Sequence, residues 1–426
     1  MSDAPVKNRR PLRILYAAGP GDVVGTYRHW KEGRDDPSQV AVTYSGQFYD
    51  LCRDLGAEGY VISYCPRPDK LRDGPFRVRH RKVPFMHAPG PLYLLGQMWS
   101  GLRLTATAVR FRADVVVVMS GMTWWSLSLL PLFGTKVVPT LHAQLWRVNH
   151  PQRGVNRLIW WLNRAFFRKT ASAVIYISDS VLHQLEGLTG PLDVPVLYFV
   201  PTYREGSFRR GDEARPKEPP PFRVLYAGRV ERDKGVFDLL EVARRFTADG
   251  RPDIEFDLCG DGSALDDLRR QAERAGLSTR FRCHGHMNKS DMRRMYGDAH
   301  AVVVPTTTAS VEGLNKVVIE SVLAGRPVIT STICPAIEYV RDACVEVPPD
   351  DVKAYGDAIL RLANDKNFYE EKRRNCAAAG SQFYDPARGW GATFRRVLES
   401  IGVLASNAGG RLPGAPAPLT EPAAVR

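Results

Sequence analysis

The chain has 426 residues, 44% of them hydrophobic and 25% charged, an ordinary globular composition with length enough for two domains and their cores. Its net charge of +13 attracts polyanions, which leaves nucleic acid, anionic membrane surface and phosphorylated substrates as partner classes; without zinc-finger spacing or an RNA-binding aromatic signature, nucleic acid is excluded. The seven cysteines, at 52, 65, 259, 283, 334, 344 and 376, form no C-x-x-C pair and read as reduced core thiols of a cytoplasmic protein.

In chain order, Met1 to Arg10 is polar and basic with no apolar run behind it, so a disordered start (1–10) without a signal peptide is expected. Leu12–Ala17 reads as a strand, followed by Gly19-Pro20-Gly21-Asp22 and a polar, aromatic segment with Tyr27, His29 and Trp30. A helix is expected over Gly46–Leu55 and a strand over Gly59–Cys65. Arg77, Arg79, His80, Arg81 and Lys82, with Val83, Pro84, Phe85 and Met86 after them, read as a basic and apolar loop, and Tyr93–Phe111 as a long basic helix.

The uncharged stretch Val115–Thr135 has the length of a membrane span. Gly121, Pro131 and Gly134 interrupt it, and it parses better as strand Asp114–Met119, helix Thr123–Leu132 and strand Lys136–Leu141, a βαβ unit ending at His142. Arg153–Lys169 mixes Trp160, Trp161, Phe166 and Phe167 with arginines. Such a helix either packs its aromatic face on a sheet or lies on an anionic bilayer. Val174–Ile177, followed by Ser178-Asp179-Ser180, reads as a strand leading into a capped helix. The alternation over 11–202 is that of a doubly wound α/β domain.

Charge and Glu218-Pro219-Pro220-Pro221 mark 203–221 as a linker. From 222 to 385 the pattern repeats, with strand-like runs closing on glycine turns. Arg223–Ala227 leads to Gly228, Arg229, Lys234 and Gly235; Phe256–Cys259 to Gly260-Asp261-Gly262; Phe281–Cys283 to His284-Gly285-His286; and Ala301–Val304 to Pro305-Thr306-Thr307. Arg229 offers a planar fork and Lys234 a point charge, both suited to a diphosphate at the carboxyl end of a strand. Gly260 and Gly262 let backbone approach a flat ligand such as a base. In Val311–Glu320, two carboxylates eight residues apart flank an expected helix start at Leu314. There Glu312 and Glu320 would grip hydroxyls at the two ends of a ligand about 12 Å long, with free amides between them for an anion. The alternative is an amphipathic helix with both acids in water. Ala387–Leu404 reads as a last helix (386–405) and 406–426 as a disordered tail.

The ordered set A-G-R-x5-G, G-D-G, H-G-H, V-V-P-T and E-G-L-N-K-x3-E, followed by Ala324–Thr330, resembles the nucleotide-sugar domain of family 4 of the glycosyltransferases, retaining enzymes of the bacterial surface-polysaccharide type. The match is dense over Arg223–Val347 and thinner before it. The resemblance implies the GT-B fold, two Rossmann-like doubly wound domains facing across a cleft, with the last helix crossing back to the first domain. By the same resemblance, Arg229 and Lys234 hold the diphosphate, Glu320 takes the ribose hydroxyls and Glu312 meets the donor sugar. Amides of Gly313, Leu314 and Asn315 touch sugar or phosphate, the loops after Gly260 and His284 enclose the base, His142 reaches the sugar across the cleft, and Gly21 lies in a turn that approaches the reaction centre. Where many relatives carry aromatic or small residues after the E-G pair, this chain has Leu314-Asn315-Lys316, adding a cation that either assists the diphosphate or points to solvent.

The expected reaction is hexosyl transfer from a UDP- or GDP-linked sugar to a hydroxyl of a glycan or lipid-linked acceptor. No cofactor is implied, and without a D-x-D no metal clamp has a candidate. The basic aromatic segments add a peripheral contact with the inner face of an anionic membrane. A sugar-nucleotide epimerase or hydrolase on the same fold, or a non-catalytic protein bound at the membrane surface, are the alternatives.

Overall fold

The computed structural model describes residues 10–405 apart from 87, 89, 120–122, 147–153 and 209–218. Most of the expected disordered start, the whole 406–426 tail and the middle of the expected linker lie outside the described residues.

Val115-Val116-Val117-Val118 is apolar on both faces, as a strand covered by helices on both sides must be, and it lies inside an eight-stranded sheet. The first half runs β1 (Arg13–Pro20), α1 (Val23–Lys31), α2 (Tyr44–Asp54), β2 (Glu58–Tyr64), β3 (Lys70–Asp73), β4 (Phe76–Arg81), α3 (Pro91–Phe111), β5 (Val115–Met119), β6 (Lys136–Leu141), α4 (Val155–Lys169), β7 (Val174–Tyr176), α5 (Asp179–Thr189) and β8 (Val196–Tyr198). The strand order is β3-β4-β2-β1-β5-β6-β7-β8. Only β3 runs antiparallel to its neighbour, and Leu15 stands between Tyr60 and Val116 in register.

The second half runs β9 (Phe222–Ala227), α6 (Val236–Ala248), β10 (Ile254–Cys259), α7 (Leu265–Arg274), β11 (Phe281–Gly285), α8 (Lys289–Asp298), β12 (Ala301–Val304), α9 (Lys316–Leu323), β13 (Val328–Ser331), α10 (Ile337–Val340), β14 (Cys344–Val347), α11 (Val352–Asn364) and α12 (Lys366–Gly380). Its parallel sheet has the order β11-β10-β9-β12-β13-β14. That order reverses between β9 and β12, and ligands of open α/β sheets bind outside the carboxyl ends of strands at such a reversal.

α13 (Trp390–Ser400) returns to the first half. There the Trp390 indole N–H donates to Thr140 Oγ1 at 3.0 Å and the Gly391 amide to Gln47 Oε1 at 2.8 Å. Trp390 also stacks on Tyr16, ring centroids 5.1 Å apart. One apolar cluster runs through both halves, while a second fills the far face of the second sheet under α6, α7 and α11.

Four expectations change. Thr123–Leu132 is not an α-helix but two short 3-10 turns, Trp124–Leu127 and Leu130–Phe133; Pro131 has no N–H to donate to Leu127, so an α-helical ladder cannot run unbroken through it. Arg77–Arg81 is not a loop but part of β4, with Phe76, Val78 and His80 buried and arginines between them. Tyr203 and Phe208, inside the expected linker, are core residues at 2% and 3% exposure. The helix expected from Leu314 starts at Lys316, because the Asn315 side chain takes the Val317 amide at 3.1 Å and caps it there.

Candidate active site

The sheet reversal brings the ends of β9 and β12 together, and the segments that leave them enclose a cavity of about 170 Å³. It is lined by Arg229 and Lys234 after β9, by Thr306, Ser310 and Glu312 after β12, and by Leu314, Asn315 and Lys316 at the start of α9. A cavity this small holds part of a ligand rather than a whole one.

Arg229 is exposed at the rim and makes no salt bridge among the described residues. Its backbone is fixed by the buried Tyr226, whose hydroxyl donates to the Arg229 carbonyl at 2.6 Å. Lys234 is mostly covered and forms an ion pair with Glu312. At the start of α9 the Asn315 side chain takes the Val317 amide at 3.1 Å and the Asn315 carbonyl that of Val318 at 3.2 Å, which leaves the Lys316 amide without an intrahelical acceptor. The cavity thus combines three basic side chains, Arg229, Lys234 and, turned to Tyr44, Lys316, with a carboxylate and a helix start, an anion site beside a hydroxyl-accepting group.

Gly313 is where the halves meet. A Cβ there would stand 2.1 Å from the His142 carbonyl oxygen and 2.5 Å from Ala143 Cα, so no other residue permits this approach. Ser178 Oγ donates to the Gly313 carbonyl at 2.6 Å, and Glu338 of α10 accepts from the first amide of α5, Asp179, at 3.1 Å. Ser178 makes no cap bond of its own.

His142 sits at the end of β6 beside this contact. Its Nε2 is 2.9 Å from Thr140 Oγ1, its ring lies against Tyr44 at 4.6 Å and Phe199 at 5.0 Å, and its buried Nδ1 has no partner among the described residues. Burial, aided by Lys316, lowers its pKa to about 3, so the ring is neutral at physiological pH. Thr140 Oγ1, which also accepts from Trp390, can either donate to Nε2 or accept from it, since a hydroxyl has one proton and two lone pairs.

Glu320 stands apart from the cavity lining. The Tyr296 hydroxyl donates to one carboxylate oxygen at 3.1 Å and that of Tyr203 to the other at 3.5 Å. Burial pushes its pKa up to about 7 against the opposing pull of Lys316, Tyr296 and Tyr203. Lys316 does not point into open solvent: its Nζ lies 5.1 Å from the centre of the Tyr44 ring, and burial lowers its pKa.

The remaining expected residues lie elsewhere. Gly260 and Gly262 are packed under the loop after β9, where Cβ atoms would come within 1.7 Å of the Gly228 carbonyl oxygen and 2.2 Å of that of Val230; loop-to-loop contact accounts for them without a base. His284 is held on Asp257 at 2.7 Å, where Arg282 also pairs, and is not brought to the cavity. Gly21 follows β1 in the first half, its amide on Tyr64 O at 3.1 Å. Tyr44, Tyr203, Tyr226, Ser178 and Tyr296 were not foreseen; each acts through a contact distant in sequence or on backbone, which no local pattern announces.

Known proteins share this organisation. The family model for glycosyl transferases group 1 matches residues 209–383 and that for the glycosyl transferase 4-like domain residues 41–199. The chain is 27% identical over 261 residues to the alpha-D-kanosaminyltransferase of Streptomyces kanamyceticus, a match spanning 58% of this chain and 66% of that one. It is 28% identical over 394 residues to the 2-deoxystreptamine N-acetyl-D-glucosaminyltransferase of Streptomyces fradiae, covering 84% and 89%. The crystal structure of Anabaena HepE in complex with UDP and glucose superposes with a TM-score of 0.64 at 16% identity, over 92% of this chain and all of that one. With both halves matched and two parallel-sheet domains in GT-B arrangement, the chain belongs to the family 4 glycosyltransferases and is an enzyme that transfers glycosyl groups.

Proposed function

We propose that the chain transfers a hexosyl group from a nucleotide-diphosphate sugar, UDP- or GDP-linked, to a hydroxyl of a glycan or lipid-linked acceptor in polysaccharide or glycolipid assembly, with retention at the anomeric carbon. The observation that carries this reading is the convergence of Arg229, Lys234, Glu312 and the start of α9 on one cavity at the sheet reversal. The UDP in the HepE structure and the glycosyltransferase activities named for the relatives support it.

In the proposed reaction the bond from the anomeric carbon to the diphosphate breaks, and a bond from that carbon to the acceptor oxygen forms on the same face. The acceptor proton goes to the departing phosphate oxygen. Negative charge grows on that oxygen as the bond lengthens, and Arg229, Lys234 and the Lys316 amide at the start of α9 stabilise it in place of a metal. Glu312 accepts hydrogen bonds from sugar hydroxyls, so donor binding loosens its pair with Lys234 and frees that ammonium for phosphate. Neutral His142 meets the donor sugar from the first domain, beside the Gly313 contact. Glu320, already held by two tyrosines, accepts the ribose hydroxyls once ionised.

The test is to incubate the enzyme with UDP- and GDP-sugars and a panel of glycan acceptors, reading the product by NMR. A new glycosidic bond with the donor's anomeric configuration, formed equally well in EDTA, supports the proposal. Donor consumption that needs no acceptor contradicts it.

A further inference from the structure

The excess charge of this chain is confined to one segment. Residues 74–178 hold 14 Lys and Arg against a single acid, Asp114, while the rest of the chain has 45 of each sign. Asp114 is itself engaged, by Arg10 at 2.6 Å and by the Arg13 amide at 2.9 Å. The whole net charge of +13 therefore belongs to a quarter of the sequence.

The same segment carries most of the large apolar side chains that face outward. On α3, Leu95, Trp99 and Leu102 recur at helical spacing along one exposed face, and Arg103 is exposed beside them. At the second 3-10 turn Leu132 is 80% and Phe133 60% exposed. On α4, Ile159, Trp160, Phe166 and Phe167 go to the core, leaving Leu158 and Trp161 outside among the exposed Arg157 and Arg164.

These elements are neighbours. The first 3-10 turn is packed between the helices, with Thr105 Oγ1 of α3 donating to Ser126 O at 3.0 Å and Asn163 of α4 accepting from the Trp125 amide at 3.2 Å. Behind the turn, Trp124 meets Phe167 with ring centroids 5.3 Å apart.

We infer that α3, the 3-10 turns and α4 together form a docking surface for an anionic lipid bilayer, into which Leu132, Phe133, Trp99 and Trp161 insert while the arginines meet headgroups. A carboxylate-poor, arginine-rich surface around exposed leucine and tryptophan complements a plane of uniform negative charge. Among the described residues no helix is long and apolar enough to cross a membrane, so the contact is peripheral. α4 is the helix after β6, whose end carries His142, so docking sets the acceptor half of the cleft at the lipid surface. This goes beyond the transfer reaction and stands independently of donor chemistry.

The test is co-sedimentation of the full chain with vesicles of phosphatidylcholine alone and of phosphatidylcholine with phosphatidylglycerol. The wild type should pellet with the anionic vesicles only, and salt should release it. Leu132→Ser/Phe133→Ser/Trp161→Ser should stay in the supernatant with an unchanged near-UV spectrum, Arg157→Ser/Arg164→Ser should bind at least tenfold more weakly, and Arg229→Ala should pellet like wild type even where nucleotide binding is lost. Wild type that remains in the supernatant, or a triple variant that pellets equally, overturns the inference. So does light scattering that shows a wild-type dimer broken by the triple variant without vesicle binding, which would make the surface a contact between copies.

Discussion

Glu312 stands in the cavity with Lys234 against it and water within reach, whereas Glu320, eight residues on in the same motif, is enclosed by Tyr203, Tyr296 and Lys316 with its pKa raised to about 7. One acid is held by a cation that a phosphate can take from it; the other is desolvated and held by neutral hydroxyls. Identical side chains on one loop-helix junction thus receive different chemistry from what packs around them. In the proposed reaction the exposed end would handle charge that develops during transfer, and the enclosed end would read a ligand already bound.

The comparison breaks most completely at Arg229 and Lys234. Removing both in Arg229→Ala/Lys234→Ala should lower kcat/KM by at least about 10³-fold, since one preorganised donor to developing charge is worth about 10²- to 10³-fold in kcat. Unaltered steady-state kinetics would remove the diphosphate role from this cavity. Next in size is Gly313→Ala, whose methyl must push the His142 carbonyl away. A displacement of about 1 Å between the halves should reduce kcat about 10²-fold while the second half still binds nucleotide, as calorimetry can show.

The enclosed end is sharpened by pH. Because Glu320 has a raised pKa, its neutral form is favoured in the fold, and the stability it contributes is present below the ordinary glutamate range and lost as pH rises through about 7. Ribose hydroxyls donate to the ionised form, so nucleotide affinity should rise by up to about tenfold between pH 6 and pH 8. Glu320→Gln should flatten that slope; a slope that survives the substitution belongs to another group. The smallest effect is expected of Lys316→Met, which withdraws a charge that lowers the Glu320 pKa. The affinity profile should move to higher pH by less than one unit while kcat changes little, and a profile moved to lower pH would contradict the assignment.

Much of the fold was legible because parallel strands buried on both faces read as unbroken apolar runs, as in Val115–Val118 and Ala301–Val304, and because glycine turns mark where they end. β4 escaped although its period-two alternation of Phe76, Val78 and His80 with arginines was present; the charge distracted from the period. Thr123–Leu132 misled in the other direction, its apolar content suggesting one α-helix where the chain makes two 3-10 turns, the second containing Pro131. Arg229, Lys234 and Glu312, expected from their motifs, and Leu314 and Asn315, expected from the family resemblance, line one cavity. The surroundings of Glu320 were not foreseen, since Tyr203 lies 117 residues before it and Tyr296 on another helix. Sequence shows which groups occupy the end of a strand, but not which distant hydroxyls enclose them.

The most direct measurement is isothermal calorimetry of UDP, GDP and ADP against wild type and Arg229→Ala/Lys234→Ala. One nucleoside diphosphate should bind the wild type and bind the double variant at least about 10²-fold more weakly. Equal binding to both proteins, or none of the three to wild type, would contradict a nucleotide-diphosphate sugar site at the sheet reversal.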